Sequence, residues 1–289
     1  MQPLISIGMP VLNCEKTIHA SIISILHQSY TQWELLIFDD GSSDSTISIV
    51  KSFKDSRIKL ISDGVNRGLP FRLNQAVALS RGKYFARMDG DDISYPKRIE
   101  VQSKFLDSYP HVDLVGSRVM IFDNHGNVIG GYPFRQTHSE ICHRPWAGFY
   151  LPHPTWMGRT NWFHSHPYRL NAKRNEDQDL LLRTYEDSCF ACIPDILIGY
   201  RQNRLSLKNI LTGRIHFSLS ILHTGIRGRK YIFILGILEQ FVKSIVDTFA
   251  IISGLNYHIL KHRAIAMEDK DIKYWKDIWE SVTNSGYKI

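Results

Sequence analysis

Three carboxylates within four residues are the clearest chemical signal in this chain of 289 residues. Asp89, Asp91 and Asp92 follow the short apolar run 83–88, with Gly90 among them. If the run is a strand whose extended conformation continues to its end, Asp89 and Asp91 project to the same side. Converging carboxylates repel unless a cation lies between them, and ligands that are all oxygen indicate Mg²⁺ or Mn²⁺ rather than zinc. The stretch therefore predicts a site for a divalent cation and a substrate diphosphate, although a solvated acidic turn is the alternative for such a run taken alone.

The elements that position these carboxylates alternate between strand and helix over about the first 90 residues. Predicted strands cover 4–9, 34–38, 57–61 and 83–88, and single helices lie between them. We expect Pro10 to close the first strand and Asn13 to cap the first helix. Such alternation predicts right-handed crossovers and a largely parallel, Rossmann-like sheet flanked by helices, which binds ligands at the carboxyl ends of its strands. Asp39 and Asp40 follow the second strand, so one cleft is expected to contain them and the acidic run.

Two common nucleotide-binding motifs are missing from the sequence. The first strand is followed by residues 9–13, which do not form a Gly-x-Gly-x-x-Gly turn, and no Gly-x-x-x-x-Gly-Lys phosphate loop occurs anywhere. A dinucleotide dehydrogenase and a P-loop enzyme are therefore disfavoured. What remains is a nucleotide held by carboxylates and a metal ion.

The pattern weakens after a helix at 96–108, a strand at 112–117 and a hairpin that turns at 124–127. The segment 142–170 is rich in His, Pro and Trp, and we expect loops there that line the other half of the cleft. A zinc site at His153, His164 and His166 is disfavoured, because zinc rarely binds beside a site built for a hard ion.

A further helix is predicted to begin at 175. Asn175 is expected to cap it, and Gln178 to reach back to the cap. The acidic side chains of its first turn, Glu176 and Asp177, either simply interact well with the helix dipole or include a rigidly held proton acceptor.

Composition and charge limit the class of protein. With 43% hydrophobic residues, the chain can form one large domain, alone or with an appendage. Four cysteines suit a reducing compartment, and the absence of a signal-peptide pattern at the start predicts a cytoplasmic location. The formal net charge of +7 arises from the C-terminal third, and the segment 201–230 has seven basic residues and no acidic one. We expect that segment to meet phosphates or an anionic membrane surface, and we expect no nucleic-acid partner.

The C-terminal region is predicted to be helical. In the apolar segment 231–255, Glu239, Lys243 and Asp247 recur at a spacing of four, which leaves no uncharged run long enough for a membrane span. The pattern predicts an amphipathic helix, either packed on the rest of the protein or lying in a bilayer interface. We therefore divide the chain into an α/β domain at 1–206 and a helical extension at 207–289.

The residues resemble the family-two glycosyltransferases with a GT-A fold, particularly bacterial members that build surface polysaccharides. The resemblance covers roughly residues 3–206. It is carried by the stretches 5–13, 28–30, 34–46, 66–69, 86–92 with Pro96 and Arg98, and 176–177. Leu12 departs from the family pattern, in which Tyr or Phe is usual at this position.

The resemblance implies a role for each matching residue. It implies that Asp177 is the catalytic base and that Asp91, together with Asp89, binds Mn²⁺ or Mg²⁺. The residues implied to contact the nucleotide or donor sugar are Pro10, Asn13, Asp39, Asp40, Asn66, Arg87 and Asp89. Those implied on the diphosphate or acceptor side are His153, Glu176, Arg201 and Arg204. Asn203 stands where many relatives have a His that reaches the metal or diphosphate.

The function expected from this resemblance is inverting, metal-dependent transfer of a sugar from a nucleoside-diphosphate sugar, expected to be a UDP-sugar. The acceptor would be a hydroxyl of a lipid-diphosphate-linked or growing surface glycan. The basic segment 201–230 and the amphipathic segment 231–255 predict that the enzyme works peripherally on the inner face of the cell membrane. The alternative is a scaffold or regulator that binds nucleotide sugar without turnover, although such a binder has no use for Asp177.

Overall fold

One mixed sheet forms the centre of the computed structural model, which describes residues 2–202, 206–228, 231–254 and 264–284. The nine strands are β1 (Ile5–Val11), β2 (Trp33–Asp39), β3 (Ile58–Ser62), β4 (Tyr84–Arg87), β5 (Ile93–Ser94), β6 (Leu114–Phe122), β7 (Val128–Gly130), β8 (Met157–Arg159) and β9 (Phe190–Arg201). Their order is β3-β2-β1-β4-β8-β6-β9-β5, and β7 pairs with β6.

Helices cover both faces of the sheet and form the C-terminal region. In the described residues they are α1 (Ile18–Leu26), α2 (Thr46–Ser52), α3 (Leu69–Leu79), α4 (Arg98–Ser108), α5 (His138–Ile141), α6 (Thr160–Ser165), α7 (Glu176–Thr184), α8 (Leu207–Arg227), α9 (Phe233–Ile252) and α10 (Asp269–Thr283). A 3₁₀ turn at His153–Thr155 precedes β8.

The predicted parallel arrangement of the first four alternating strands is confirmed. β1 pairs in parallel with both β2 and β4, and β2 pairs in parallel with β3. Every residue of β1 and β2 is buried, because helices pack on both faces of this half of the sheet. The carboxyl ends of these strands therefore meet at one edge, where both acidic stretches lie.

Two local predictions near the start of the chain are wrong. β1 continues through Pro10 to Val11, since β4 pairs last opposite Gly8 and Pro10 lies beyond the ladder on that side. Asn13 does not cap α1, which begins after Thr17. Instead Asn13 has a φ of 53°, and its Oδ1 accepts a hydrogen bond of 2.9 Å from the backbone N–H of Ser43.

The second half of the sheet also differs from the prediction. The strand expected at 112–117 continues to Phe122 as β6. The segment 142–170, expected to be loops, contains α6 and the strand β8, which pairs antiparallel with both β4 and β6. A strand of three residues has too little alternation to be recognised in a sequence. Gly158 in its middle allows close packing, because a Cβ there would lie 2.7 Å from the carbonyl oxygen of Asp113.

The C-terminal helices pack on the rest of the protein. α8 contacts α7 and pairs with α9, whereas α10 contacts α1. Trp275 of α10 is fully buried against Phe122, with ring centroids 4.5 Å apart. No helix within the described ranges is both long and apolar enough to cross a bilayer. The division at 206/207 remains a prediction.

Candidate active site

The acidic turn, residues 89–92, brings three carboxylates together. One oxygen each of Asp89, Asp91 and Asp92 lies within 4.8 Å of the others. The extended conformation that would place Asp89 and Asp91 on one side of a strand does not continue that far. β4 ends at Arg87, and a turn follows in which the N–H of Asp92 donates to the carbonyl of Asp89 over 3.4 Å. The turn therefore gathers all three carboxylates, including Asp92, which the prediction did not assign to the metal.

The metal-free cluster is electrostatically unfavourable. Burial, followed by the charge of Asp89, raises the pKa of Asp91 to about 6. Burial, then Asp91 and Asp89, raises the pKa of Asp92 well above its usual range. Asp92 Oδ2 has no hydrogen-bond partner within the described residues. Three converging carboxylates with an unused oxygen fit a hard divalent cation such as Mg²⁺ or Mn²⁺.

Arg201, at the end of β9, fixes the acidic turn from the opposite side. Its backbone N–H donates to Asp92 Oδ1 over 2.9 Å, and its Nε donates to the carbonyl of Asp91 over 2.8 Å. Its guanidinium lies 4.6 Å from the ring centroid of Phe122 and 5.4 Å from that of Trp279 in α10. Arg201 is thus beside the metal candidates, as its predicted diphosphate role requires. Asn203 and Arg204 lie outside the described residues.

Arg87 is buried beside the acidic turn. Its Nη2 pairs with Asp89 Oδ1 at 2.7 Å, and Glu176 contributes to the electrostatic field around it. Its Nε and Nη1 find no hydrogen-bond partner in the described part of the chain. Arg98, to which no role was assigned from the sequence, donates to the carbonyl of Arg87 over 2.6 Å and so fixes this end of β4.

Asp177, the candidate base, opens onto a cavity of about 340 Å³ at the start of α7. Its Oδ2 accepts a hydrogen bond of 3.2 Å from Gln178 Nε2, and Gln178 Oε1 accepts one of 2.7 Å from the N–H of Phe149. Gln178 therefore orients Asp177. The prediction that Gln178 reaches back to the helix cap is wrong. Asn175 does occupy the capping position, but its side chain makes no capping hydrogen bond.

Glu176 and Asp177 occupy different environments although they are adjacent. Glu176 is buried, and burial followed by the charge of Asp177 raises its pKa to about 7. Asp177 is half-buried and lines the cavity. Asp177 is therefore the carboxylate of this pair that an incoming hydroxyl can reach.

His153 lines the same cavity and is held as a neutral ring. Its Nε2 is 2.9 Å from the hydroxyl of Tyr168, and burial, followed by Arg87, lowers its pKa well below the usual value. Within the described residues, the acidic turn is the one cluster of side chains that could hold a metal ion. His153, His164 and His166 do not form such a cluster in this part of the chain. The position of His153 in the cavity agrees with the predicted acceptor side.

Asp39 and Asp40 shape the loops after β2. Asp39 accepts a hydrogen bond of 2.9 Å from the hydroxyl of Ser62. Asp40 accepts one of 2.8 Å from the N–H of Arg67 and forms an ion pair of 2.9 Å with the buried Arg72. Their nucleotide contacts stay a prediction.

The same holds for the other implied nucleotide contacts at this edge of the sheet. Pro10 is buried in β1, whereas Asn13 and Asn66 are exposed.

Tyr200 connects the two halves of the site. It lines the cavity that contains Asp177. Burial and Tyr132 raise its pKa well above the usual value, and the charges of Asp92, Asp89 and Asp91 raise it further. Tyr200 therefore lines the cavity of the candidate base and lies within electrostatic reach of the acidic turn. Tyr132, Gln178 and Tyr200 were not identified as site residues from the sequence. Tyr132 and Tyr200 are far from Asp177 in the chain, and only the fold brings them to its cavity.

The sheet order and the acidic turn after β4 define a GT-A glycosyltransferase fold. A mannosyltransferase from Pyrobaculum calidifontis, PcManGT, solved in complex with GDP-Man and Mn²⁺, superimposes with a TM-score of 0.62 at 13% identity, covering 99% of this chain and 88% of that one. The sequence model of Glycosyl transferase family 2 matches residues 6–167, more than half of the chain. The chain belongs to this family.

Two relatives show how the similarity is distributed. EpsE of Bacillus subtilis, named as a glycosyltransferase, is 36% identical over 195 residues, which cover 64% of this chain and 68% of EpsE. WfgD of Escherichia coli, named a UDP-Glc:α-D-GlcNAc-diphosphoundecaprenol β-1,3-glucosyltransferase, is 36% identical over 140 residues. That match covers 48% of this chain and 54% of WfgD.

Proposed function

We propose that this protein is an inverting, divalent-cation-dependent glycosyltransferase. It would transfer a sugar from a nucleoside-diphosphate sugar, expected to be a UDP-sugar, to a hydroxyl of a lipid-diphosphate-linked or growing glycan. The observation that carries this proposal is the acidic turn, which gathers three carboxylates, together with Asp177 in a cavity whose lining residue Tyr200 lies within electrostatic reach of that turn. The names of WfgD and PcManGT support the classes of donor, acceptor and cation.

The residues divide the reaction between two sides of the cleft. Asp89, Asp91 and Asp92 would hold Mg²⁺ or Mn²⁺, which when bound offsets the negative charge that develops on the leaving diphosphate. Asp177 accepts the proton of the acceptor hydroxyl. The acceptor oxygen then forms its bond to the anomeric carbon while the bond from that carbon to the diphosphate breaks. One displacement inverts the configuration, and no carboxylate nucleophile is needed.

A scaffold that binds nucleotide sugar without turnover is the second candidate. The two are distinguished by incubating the protein with UDP-, GDP- and dTDP-sugars in the presence of Mn²⁺. Metal-dependent thermal stabilisation by one donor, together with its slow hydrolysis or transfer, supports the enzyme. Stabilisation without any turnover, both with water and with a prenyl-diphosphate-linked sugar as acceptor, supports the scaffold.

We also propose that the protein attaches peripherally to a membrane through α8 and α9. The polar side of α9 faces inward: Gln240 and Asp247 are 4% and 2% exposed, and Arg214 of α8 bonds to both over 2.9 Å. The apolar side is left exposed, with Phe249 at 70% and Ile252 at 75%. The exposed apolar residues of the two helices and their connection are Ile215, Leu219, Leu222, Ile226, Tyr231, Ile232, Ile234, Leu235, Leu238, Phe241, Val242, Ile245, Val246, Phe249 and Ile252.

Two of the seven basic residues in 201–230 have partners within the protein, so fewer of them are available to an anionic membrane than the sequence suggested. Of the basic residues in 201–230, Arg201 and Arg214 have internal partners, and Lys208 is exposed. Arg204, Arg229 and Lys230 lie outside the described residues, as does the side chain of Arg227. We therefore expect attachment to depend mainly on apolar burial, which salt does not screen.

A further inference from the structure

A short stretch of chain, residues 144–149, joins the helix α9 to the cavity of the candidate base; we call it the linking segment. At its first residue, Arg144 Nη2 donates to Glu239 Oε2 of α9 over 2.8 Å. Lys243 Nζ pairs with the other oxygen of Glu239 at 2.7 Å and donates to the carbonyl of Ala147 over 3.4 Å. Both ion pairs are partly exposed, so each of them alone holds the linking segment weakly.

Close packing on the same helix holds the middle of the linking segment more firmly. Trp146 packs on Phe233 of α9 with ring centroids 5.9 Å apart. Gly236 lies three residues further along α9, where an added Cβ would come within 2.6 Å of the carbonyl oxygen of Trp146 and 2.7 Å of its Cβ. Two atoms cannot approach so closely, so a side chain at position 236 would displace the linking segment.

The other end of the linking segment is bound to the candidate base. The N–H of Phe149 donates to Gln178 Oε1 over 2.7 Å, and Gln178 Nε2 donates to Asp177 Oδ2 over 3.2 Å. The oxygen and the nitrogen of Gln178 belong to one planar amide. A displacement of Phe149 therefore turns the group that donates to Asp177.

We propose that α9 positions Asp177 for proton transfer through the linking segment and Gln178. The inference rests on the proposed function, in which Asp177 accepts the proton of the acceptor hydroxyl. It gives the helical extension an influence on kcat in addition to its proposed contact with the membrane. Gly236 is then a positioning residue, which acts on the reaction without touching the substrate.

The first test measures the linking segment directly and needs no turnover. Hydrogen exchange of the full chain, resolved to single amides, should be at least about fivefold faster at Phe149 in Gly236→Ala and in Gln178→Leu. Gly236→Ala should leave α9 itself intact, because Ala favours a helix over Gly. The matched control is Ser244→Ala, whose lost hydroxyl bonds to the carbonyl of Gln240 within α9, and it should exchange like the unchanged protein. Unchanged exchange at Phe149 in Gly236→Ala would overturn the inference.

The second test asks whether the effect reaches Asp177 through Gln178. If transfer or donor hydrolysis occurs, Gly236→Ala should lower kcat at least about fivefold and leave KM for the donor unchanged. When Gln178→Leu is already present, Gly236→Ala should lower kcat little further, because two residues that act through one link are not additive. Independent losses that multiply would overturn the inference, as would an unchanged kcat despite faster exchange at Phe149.

Two controls keep the outcomes distinct. No turnover by the unchanged protein, together with faster exchange at Phe149 in Gly236→Ala, would refute the proposed function instead. If thermal unfolding shows that Gly236→Ala does not fold, Trp146→Leu replaces it in both tests. That variant removes the ring contact with Phe233, and the same results are expected of it.

Discussion

The binding of Mn²⁺ to the acidic turn should depend on pH between 5 and 7. Asp91 has a pKa of about 6 in the metal-free protein, raised from 3.8 by burial and by Asp89. A cation binds the ionised carboxylate, so the proton competes with it. With a pKa of about 6, roughly nine in ten Asp91 carboxyls are protonated at pH 5 and about one in ten at pH 7. The apparent affinity for Mn²⁺ should therefore be at least about tenfold weaker at pH 5 than at pH 7.

The stabilisation of the folded protein by Mn²⁺ should also increase with pH. Because the folded pKa of Asp91 is raised, its contribution to the stability of the metal-free protein is lost as pH rises from about 4 through about 6. Bound Mn²⁺ offsets this loss, so the thermal stabilisation by Mn²⁺ should grow over the same interval.

Calorimetric titration with Mn²⁺ at pH 5, 6 and 7 measures the affinity, and thermal unfolding with and without Mn²⁺ measures the stabilisation. The control is Asp91→Asn, which should bind Mn²⁺ weakly at every pH and lose most of the pH dependence. Equal affinities of the unchanged protein at pH 5 and pH 7 would refute the reasoning, because Asp91 would then be ionised at both and the cluster less buried than the structure has it.

Four further outcomes are expected. Asp177→Asn should lower kcat at least about 10²-fold with little change in donor affinity, and equal losses in both would indicate a structural role. Trp279→Ala should weaken Mn²⁺-dependent nucleotide binding by up to about tenfold, because Arg201 loses a stacking partner, and Trp279→Phe should retain most of the binding. Asp247→Ala should lower the free energy of unfolding by about 3 kcal/mol, because Arg214 loses its buried partner, whereas Glu268→Ala, which removes an exposed pair, should have a much smaller effect; similar losses in denaturant titrations would contradict this. Phe241→Ser combined with Phe249→Ser should reduce sedimentation with anionic vesicles at both low and high salt, and an unchanged sediment would place the membrane contact elsewhere.

The sequence alone determined the class of fold and the main candidate residues of the site. Alternation of strands and helices over the first 90 residues has one common solution, a parallel sheet with ligands at its carboxyl edge. Asp89 and Asp91 were identified because converging carboxylates are unfavourable without a cation, whereas Asp177 was identified through the family resemblance, since acidic residues are common in the first turn of any helix. The amphipathic pattern of 231–255 likewise predicted a helix with one polar and one apolar side, and α9 has both.

Only the tertiary structure decided how these residues meet. Asp92 joins the other carboxylates because β4 stops at Arg87 and a turn follows, and a strand's end depends on its neighbours in the sheet. Gln178 orients Asp177 through Phe149, a partner 29 residues away, which no local pattern encodes.

The orientation of α9 is the clearest case of a property beyond local sequence. A period of 3.6 residues defines two sides of a helix but does not say which side faces the protein. Here the half-buried Arg214 of α8 supplies a charge that the polar side of α9 can pair with; Asp247 faces inward, and the apolar side is left exposed. Sequence periodicity therefore determined the helix, and its long-range contacts, among them those of Arg214 with Gln240 and Asp247, determined the direction in which it faces.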